Sequence, residues 1–258
     1  MATLPPKVQT RLASGLKKFQ SIVSAARTKD INESDTVVII TDMLSDLFGY
    51  DKYSEITSEQ AVKKTFCDLA IKIDGKVRFI IEVKAAGLDL KEDHIRQAVD
   101  YGSNAGVDWV ILTNGSVWKV FKIIFGKPVS NELVYEFDFT QLNVKKDNDL
   151  ELLYYVCKES LGKSVLADFH LQKQTFSKFF VGQLIISEPI IDSIRKIMKK
   201  LYPEVKVSNE EICSLIENEV LKREVIDGEK AEEAKKKINK AFKSLAKETI
   251  AKSESTTL

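Results

Sequence analysis

Asp68, Glu82 and Lys84 are the residues whose types and spacing can do chemistry together. The stretches 65–73 and 77–84 read as two strands around Asp74-Gly75, a pair that favours a hairpin turn. Alternation places Cys67, Leu69, Ile71 and Ile73 on one face of the first strand, and Phe66, Asp68, Ala70 and Lys72 on the other. On the second strand Val77, Phe79, Ile81 and Val83 oppose Arg78, Ile80, Glu82 and Lys84. The two apolar faces coincide only if paired residue numbers add to an even total, because a one-residue slip turns every side chain over. Pairing Ile73 with Val77 satisfies this and predicts a three-residue loop or a bulge instead of a plain two-residue turn. The same register sets Asp68 opposite Glu82, with Cβ atoms about 5 Å apart. Two carboxylates at that distance repel unless positive charge compensates them. Lys84, on the same face, is one source; a divalent cation such as Mg2+, which takes oxygen ligands and commonly one or two protein carboxylates, is the other.

The elements that must position these groups can be read on either side. Residues 1–30 are basic, with Leu12, Leu16, Phe19, Ile22 and Val23 at three- and four-residue steps, which predicts a surface helix docked on a core. Asn32-Glu33-Ser34-Asp35 is a helix start, with Asn to cap and acids in the first turn. This helix should run to Phe48 and bury Val37, Ile40, Leu44, Leu47 and Phe48. Glu33 falls on that apolar stripe, where a charge requires a partner; it also reads as a first-turn acid favoured by the helix dipole. Residues 89–104 return to helix, with Gln97 and Tyr101 four apart on a shared face. His94 lies on about the same side and is read as incidental. Strands at 108–113 and 116–124 flank Asn114-Gly115, a further hairpin signal, and 133–139 is another strand candidate. The expected fold class is α/β (α+β), one mixed central sheet flanked by helices. After about residue 145 helical patterning dominates, so two regions are expected: 1–145 with the sheet, and a helical appendage at 150–258. Within the appendage, 189–201 and 230–250 read as helices, and Ser208-Asn209-Glu210-Glu211 has a capping-box layout.

Cys67-Asp68, fourteen residues later followed by Glu82-Val83-Lys84, resembles the PD-(D/E)xK nuclease signature, with Cys67 where that family often has Pro. Asn32-Glu33-Ser34-Asp35-Thr36, Leu47-Phe48-Gly49-Tyr50-Asp51, Ile80-Ile81-Glu82-Val83-Lys84-Ala85, Gln97-Ala98-Val99-Asp100-Tyr101 and Trp109-Val110-Ile111-Leu112-Thr113-Asn114-Gly115 resemble the N-terminal nuclease domain of type I restriction enzyme R (motor) subunits. The resemblance covers about residues 10–140. It implies a restriction-endonuclease-like fold and a Mg2+-dependent DNA endonuclease of restriction or defence type, with Mn2+ able to substitute. Asp68 and Glu82 would hold the metal with the carbonyl of Val83, and Glu33 would be an outer or additional ligand. Lys84 would orient the attacking water and counter charge on the scissile phosphate. Gln97 and Tyr101 would hold the DNA backbone or brace the site. RNA as substrate stays open. The alternative is a non-catalytic nucleic-acid-binding or assembly module on a degenerate nuclease fold. No helicase motor follows the resemblance, so a stand-alone nuclease domain is expected.

Composition narrows the remainder. No apolar run approaches the ~20 residues of a membrane span, and the start lacks the layout of a signal peptide, so no membrane partner is expected. Cys67, Cys157 and Cys213 have no paired spacing, which excludes a zinc ribbon or disulfide framework and points to a reducing cytoplasm. Gly162-Lys163-Ser164 matches the end of a P-loop, but Cys157 stands where the first glycine belongs and 150–158 reads as helix, so no ATP binding is expected. The net charge of 39 − 38 = +1 conceals bunching: 195–206 holds five basic residues and one acid, and 230–247 holds seven and two. These blocks read as solvated faces or as phosphate contacts. The stripe from Ala231 to Leu245 could serve a homodimer through the C-terminal helices, pack on its own domain, or contact nucleic acid through its lysines.

Overall fold

Pro5-Pro6 starts the first helix, since proline suits a position whose N–H is unused. In this computed structural model, which describes residues 4–62 and 65–255 and the side chains outside 59–66 and 246–255, α1 spans Pro6–Thr28. It buries Val8, Leu12, Leu16, Phe19 and Val23, as its spacing predicts; Ile22 lies instead at the exposed rim. Asn32 caps α2 (Glu33–Asp42) by accepting from the Asp35 N–H at 2.8 Å. The helix then widens into a π turn, Met43–Leu47, which the sequence pattern did not predict. The extra residue per turn brings Met43 inward beside Leu44, Leu47 and Phe48, while Val37 is only half-buried. Arg11 braces the end of that turn, donating to Leu47 O at 3.0 Å and clamping Glu159 with two 2.7 Å bonds.

The sheet has six strands in chain order: β1 (Ile56–Val62), β2 (Thr65–Ile73), β3 (Lys76–Val83), β4 (Trp109–Thr113), β5 (Val117–Ile124) and β6 (Ser130–Asp138). Among the described residues only β3 and β4 run parallel; the other pairings are antiparallel. A parallel pair needs a crossover, and α3 (Arg96–Ala105), entered through a 3-10 turn at Glu92–Ile95, supplies it. The fold class is therefore the expected α/β architecture with a mixed sheet and a helical C-terminal region. β1 is an addition to it.

The β2–β3 hairpin resolves the register question with a bulge. Pairs run Leu69↔Ile81, Ala70↔Ile80 and Ile71↔Phe79, then shift to Lys72↔Val77 and Ile73↔Lys76. The expected Ile73–Val77 pair is thus replaced by Ile73–Lys76, and Asp74-Gly75 forms a two-residue turn with both φ positive (53° and 74°). Arg78 is the residue left over in the ladder. The bulge also moves Val77 off the face of Phe79: it packs with Ala70 and Ile80 beneath α3. The other hairpin pairs Thr113↔Trp118, centring its turn on Gly115-Ser116, one residue later than expected. Asn114 causes the offset, its Oδ1 accepting from the Ser116 and Val117 N–H groups.

α3 and the 3-10 turn before it cover one face of the sheet through Ile95, Ala98, Val99 and Tyr101 over Ala70, Ile80, Val110, Leu112, Phe121 and Ile123. The opposite face carries Trp118, whose ring meets Phe48 at 5.3 Å. Gly102 lets α3 approach closely: a Cβ there would lie 2.6 Å from Ile123 Cδ1.

The chain divides into two compact units, Met1–Asp168 and Phe169–Leu258. The break falls downstream of residues 145–150, because α4 (Asp147–Tyr154) and α5 (Lys158–Leu161) pack with the sheet unit; Tyr50 Oη donates to Val156 O at 2.6 Å and Lys158 pairs with Glu55 at 2.6 Å. Gly162-Lys163-Ser164 follows α5, not a strand, and α6 (Val165–Thr175) crosses the break. The second unit contains α7 (Lys178–Ile185), α8 (Glu188–Leu201), α9 (Asn209–Leu215, with the expected capping box at Ser208), α10 (Arg223–Ile226) and α11 (Glu229–Ser255). α11 packs on α7 and buries Ala231, Ala234 and Ile238, so part of the stripe considered for dimerisation is used internally. It runs to Ser255, beyond the expected end at 250; residues 256–258 and the Phe66 side chain lie outside the described residues.

Candidate active site

The end of β3 carries the site. Glu82 stands opposite Leu112 of β4, and since Leu112 belongs to the cluster under α3, Glu82 points to that same side. Asp68 follows from the even register of β2, one step beyond Leu69↔Ile81. Its Oδ2 accepts the Val83 N–H at 2.7 Å, which ties β2 to β3 where the ladder ends. Lys84 N–H in turn donates to Thr113 O at 2.8 Å, which fixes the lysine backbone against β4.

Lys84 Nζ reaches Glu82 Oε1 at 2.7 Å and Glu33 Oε2 at 3.3 Å. The Glu82 side chain is 5% exposed, Lys84 16% and Glu33 48%. Glu33 is thus not buried on the stripe of α2; it reaches Lys84 from the first turn of that helix. Glu82 Oε2 is buried and has no hydrogen-bond partner among the described residues. Burial raises the Glu82 pKa above the usual glutamate value, and the charges of Asp68 and Glu33 add to this against the opposing pull of Lys84. Burial alone would lower Lys84, but its hydrogen bond to Glu82 and the charges of Glu82, Glu33 and Asp68 hold it above the usual lysine value. The lysine is therefore a cation here and not a ready base.

Gln97 and Tyr101 occupy one side of α3 but differ in access. Gln97 is exposed. Tyr101 is fully buried, and its hydroxyl lies against the Cys67 thiol, with burial and that neighbour pushing its pKa up to about 12. His94 is spent locally, its Nδ1 accepting the Lys91 N–H at 3.2 Å. The Cys67–Tyr101 contact had no signal in sequence spacing, because it depends on where α3 crosses the sheet.

Residues 39–151 match the family model described as "Type I restriction enzyme R protein N terminus (HSDR_N)". This segment, less than half of the 258-residue chain, is similar to that family. Comparisons with curated proteins and with solved structures give no match. The R protein N-terminus match starts inside α2 and ends within α4, so it contains Asp68, Glu82, Lys84, Gln97 and Tyr101, while Glu33 lies six residues before it.

Among the described residues, no group of three or more His, Cys, Asp or Glu side chains is arranged to hold a metal. A cation here would take two carboxylates from the protein, Asp68 and Glu82. The donor set is hard oxygen, which suits Mg2+ or Mn2+ better than a soft-ligand metal, and the unpartnered Glu82 Oε2 is an acceptor that such an ion would satisfy.

Proposed function

We propose that the unit 1–168 is a Mg2+-dependent DNA endonuclease of restriction or defence type, with Mn2+ able to replace Mg2+. The observation that carries this reading is the state of Glu82: one carboxylate oxygen bound to Lys84, the other buried without a partner among the described residues, and Asp68 close enough to raise its pKa. Asp68 and Glu82, with the carbonyl of Val83, would hold the ion. When bound, the ion supplies polarisation of the phosphoryl oxygen and acidifies a water molecule.

The chain's own groups have separable tasks. Lys84, held as a cation, offsets negative charge gathering on the phosphate and orients water by donation from Nζ. Glu33 positions Lys84 from the start of α2. Gln97, exposed on α3, would meet the backbone of the substrate, whereas buried Tyr101 would brace the site.

The test is a divalent-metal titration of the 258-residue protein with supercoiled, linear and single-stranded DNA, and with RNA, beside Asp68→Ala and Lys84→Ala. Metal-dependent cleavage of DNA that both substitutions abolish is the expected result. Equal cleavage by either variant overturns the site assignment. Salt-sensitive binding without cleavage under any divalent metal would instead establish the non-catalytic binding module.

A further inference from the structure

α11 is a 27-residue helix whose described side chains, up to Leu245, are buried on one short face. Ala231, Ala234 and Ile238 are buried, while Ala241, Ser244 and Leu245 are exposed and Phe242 is half-buried. On the outward side Lys236, Lys240 and Lys243 follow one another at steps of four and three, which places them in one row along about 10 Å of helix. All three are exposed, and none makes an ion pair among the described residues. Lys237, by contrast, donates to Gln174 Oε1 at 3.0 Å and belongs to the packed side.

The charge pattern is unusual for a solvated helix. Exposed helices commonly interleave acids and bases so that Glu and Lys meet four residues apart. Here Glu232 and Glu233 stand four residues before Lys236 and Lys237 in the opening turns, where the helix dipole favours acids, but no acid occurs between Lys235 and Lys247, so Lys240 and Lys243 have no acid four residues before or after them. Lys236 and Lys240 are like charges one turn apart, an arrangement that weakens a free helix. The helix dipole does not account for them either, since its effect is confined to the last turn and α11 continues to Ser255. α8 makes the contrast: Asp192 lies 2.8 Å from Arg195 and 2.7 Å from Lys196, so its cations are partly neutralised.

We propose that Lys236, Lys240 and Lys243 of α11 form a docking surface for the phosphate backbone of DNA. A row of exposed ammonium groups that make no ion pair among the described residues complements a polyanion of regular charge spacing. An anionic membrane surface fits less well, because membrane-surface helices insert their apolar face and that of α11 is packed on α7. The choice of DNA over other polyanions rests on the proposed function of the sheet unit; the lysine row itself does not.

The experiment measures binding of the whole 258-residue chain to labelled duplex DNA in EDTA, over a range of salt. Lys236→Gln, Lys240→Gln and Lys243→Gln are combined in one variant, with circular dichroism to verify that the helix content is retained. The expected result is an affinity at least about tenfold weaker and a log–log salt slope smaller by about 2 to 3, the loss of three phosphate contacts. Unchanged affinity and slope overturn the inference, as does preferential binding of phosphatidylserine vesicles that the triple variant loses. Cleavage is scored separately with Mg2+: lysine-dependent binding by a protein that does not cut supports this inference and overturns the nuclease reading alone.

Discussion

Lys84 Nζ lies 2.7 Å from Glu82 Oε1, while Oε2 of the same buried carboxylate meets no donor among the described residues. A carboxylate half-satisfied in this way is costly on its own and valuable to a cation, because the ion would meet a group already stripped of water. Removing Lys84 therefore does more than delete a charge from the surface. Lys84→Ala should lower stability by roughly 2–4 kcal/mol, since it leaves Glu82 buried and uncompensated. Lys84→Ala combined with Glu82→Gln should recover most of that loss in urea unfolding, while cleavage stays absent.

Metal binding should be visible without turnover. An ion that binds only the folded chain stabilises it by about 2.7 kcal/mol at one hundred times its Kd. Mg2+ or Mn2+ should raise the Tm of the wild type, and chelation should reverse the rise. Asp68→Asn or Glu82→Gln should show no such shift; a full shift in both variants would place the ion elsewhere.

Gln97 and Tyr101 separate stability from activity. Gln97→Ala, on the exposed side of α3, should change stability by less than about 0.5 kcal/mol yet weaken DNA binding or slow cleavage. Tyr101→Phe keeps the buried ring and should affect cleavage little. A strong cleavage defect in Tyr101→Phe with normal stability would give the hydroxyl a direct role.

The clamp between α1 and α5 sets part of the acid response. Burial pushes Glu159 up, but its hydrogen bonds with Arg11 and the charges of Arg11 and Lys158 outweigh this and bring its pKa below the usual 4.5. A lowered folded-state pKa contributes stability above the usual value, which is lost as pH falls through the folded one. Glu159→Gln should thus reduce stability at neutral pH by about 1–2 kcal/mol, discounted for partial exposure, and flatten the acid limb of an unfolding series. An unchanged acid limb would remove Glu159 from that role.

Gly102 tests how tightly α3 sits on the sheet. Gly102→Val should cost about 1–3 kcal/mol through overlap with Ile123 Cδ1, and Ile123→Ala should partly relieve it. Loss of cleavage in Gly102→Val with recovery in the double variant would show that helix placement matters to the site.

Much of this arrangement was legible because side-chain period and register are linked. Requiring both apolar faces of the β2–β3 hairpin to coincide fixed an even register, and with it Asp68 and Glu82 on one side. The same rule could not locate the bulge, which depends on whether two or three residues form the turn. β1 escaped notice because Ile56-Thr57-Ser58-Glu59-Gln60-Ala61-Val62 lacks an apolar alternation; as an edge strand it has β2 alone for a partner. The turn after β4 slipped by one residue because an Asn114 side-chain bond, not the Asn-Gly pair, organises it. Glu33 allowed two readings, a charge on the apolar stripe and a first-turn acid, because helix periodicity gives a face and not a depth. At the first turn of α2 that face is open enough for the carboxylate to reach Lys84.

The hairpin bulge has a further consequence for how the chain tolerates change. Arg78 has no place in the ladder, since Ile71↔Phe79 is followed directly by Lys72↔Val77. A chain lacking Arg78 would retain the Asp74-Gly75 turn, strict alternation from Val77 through Phe79 to Ile80, and the frame of Glu82. Loss of a counted residue such as Ile80 would instead carry the glutamate through the sheet to the opposite surface. One codon is expendable there, and its neighbours two positions away are not.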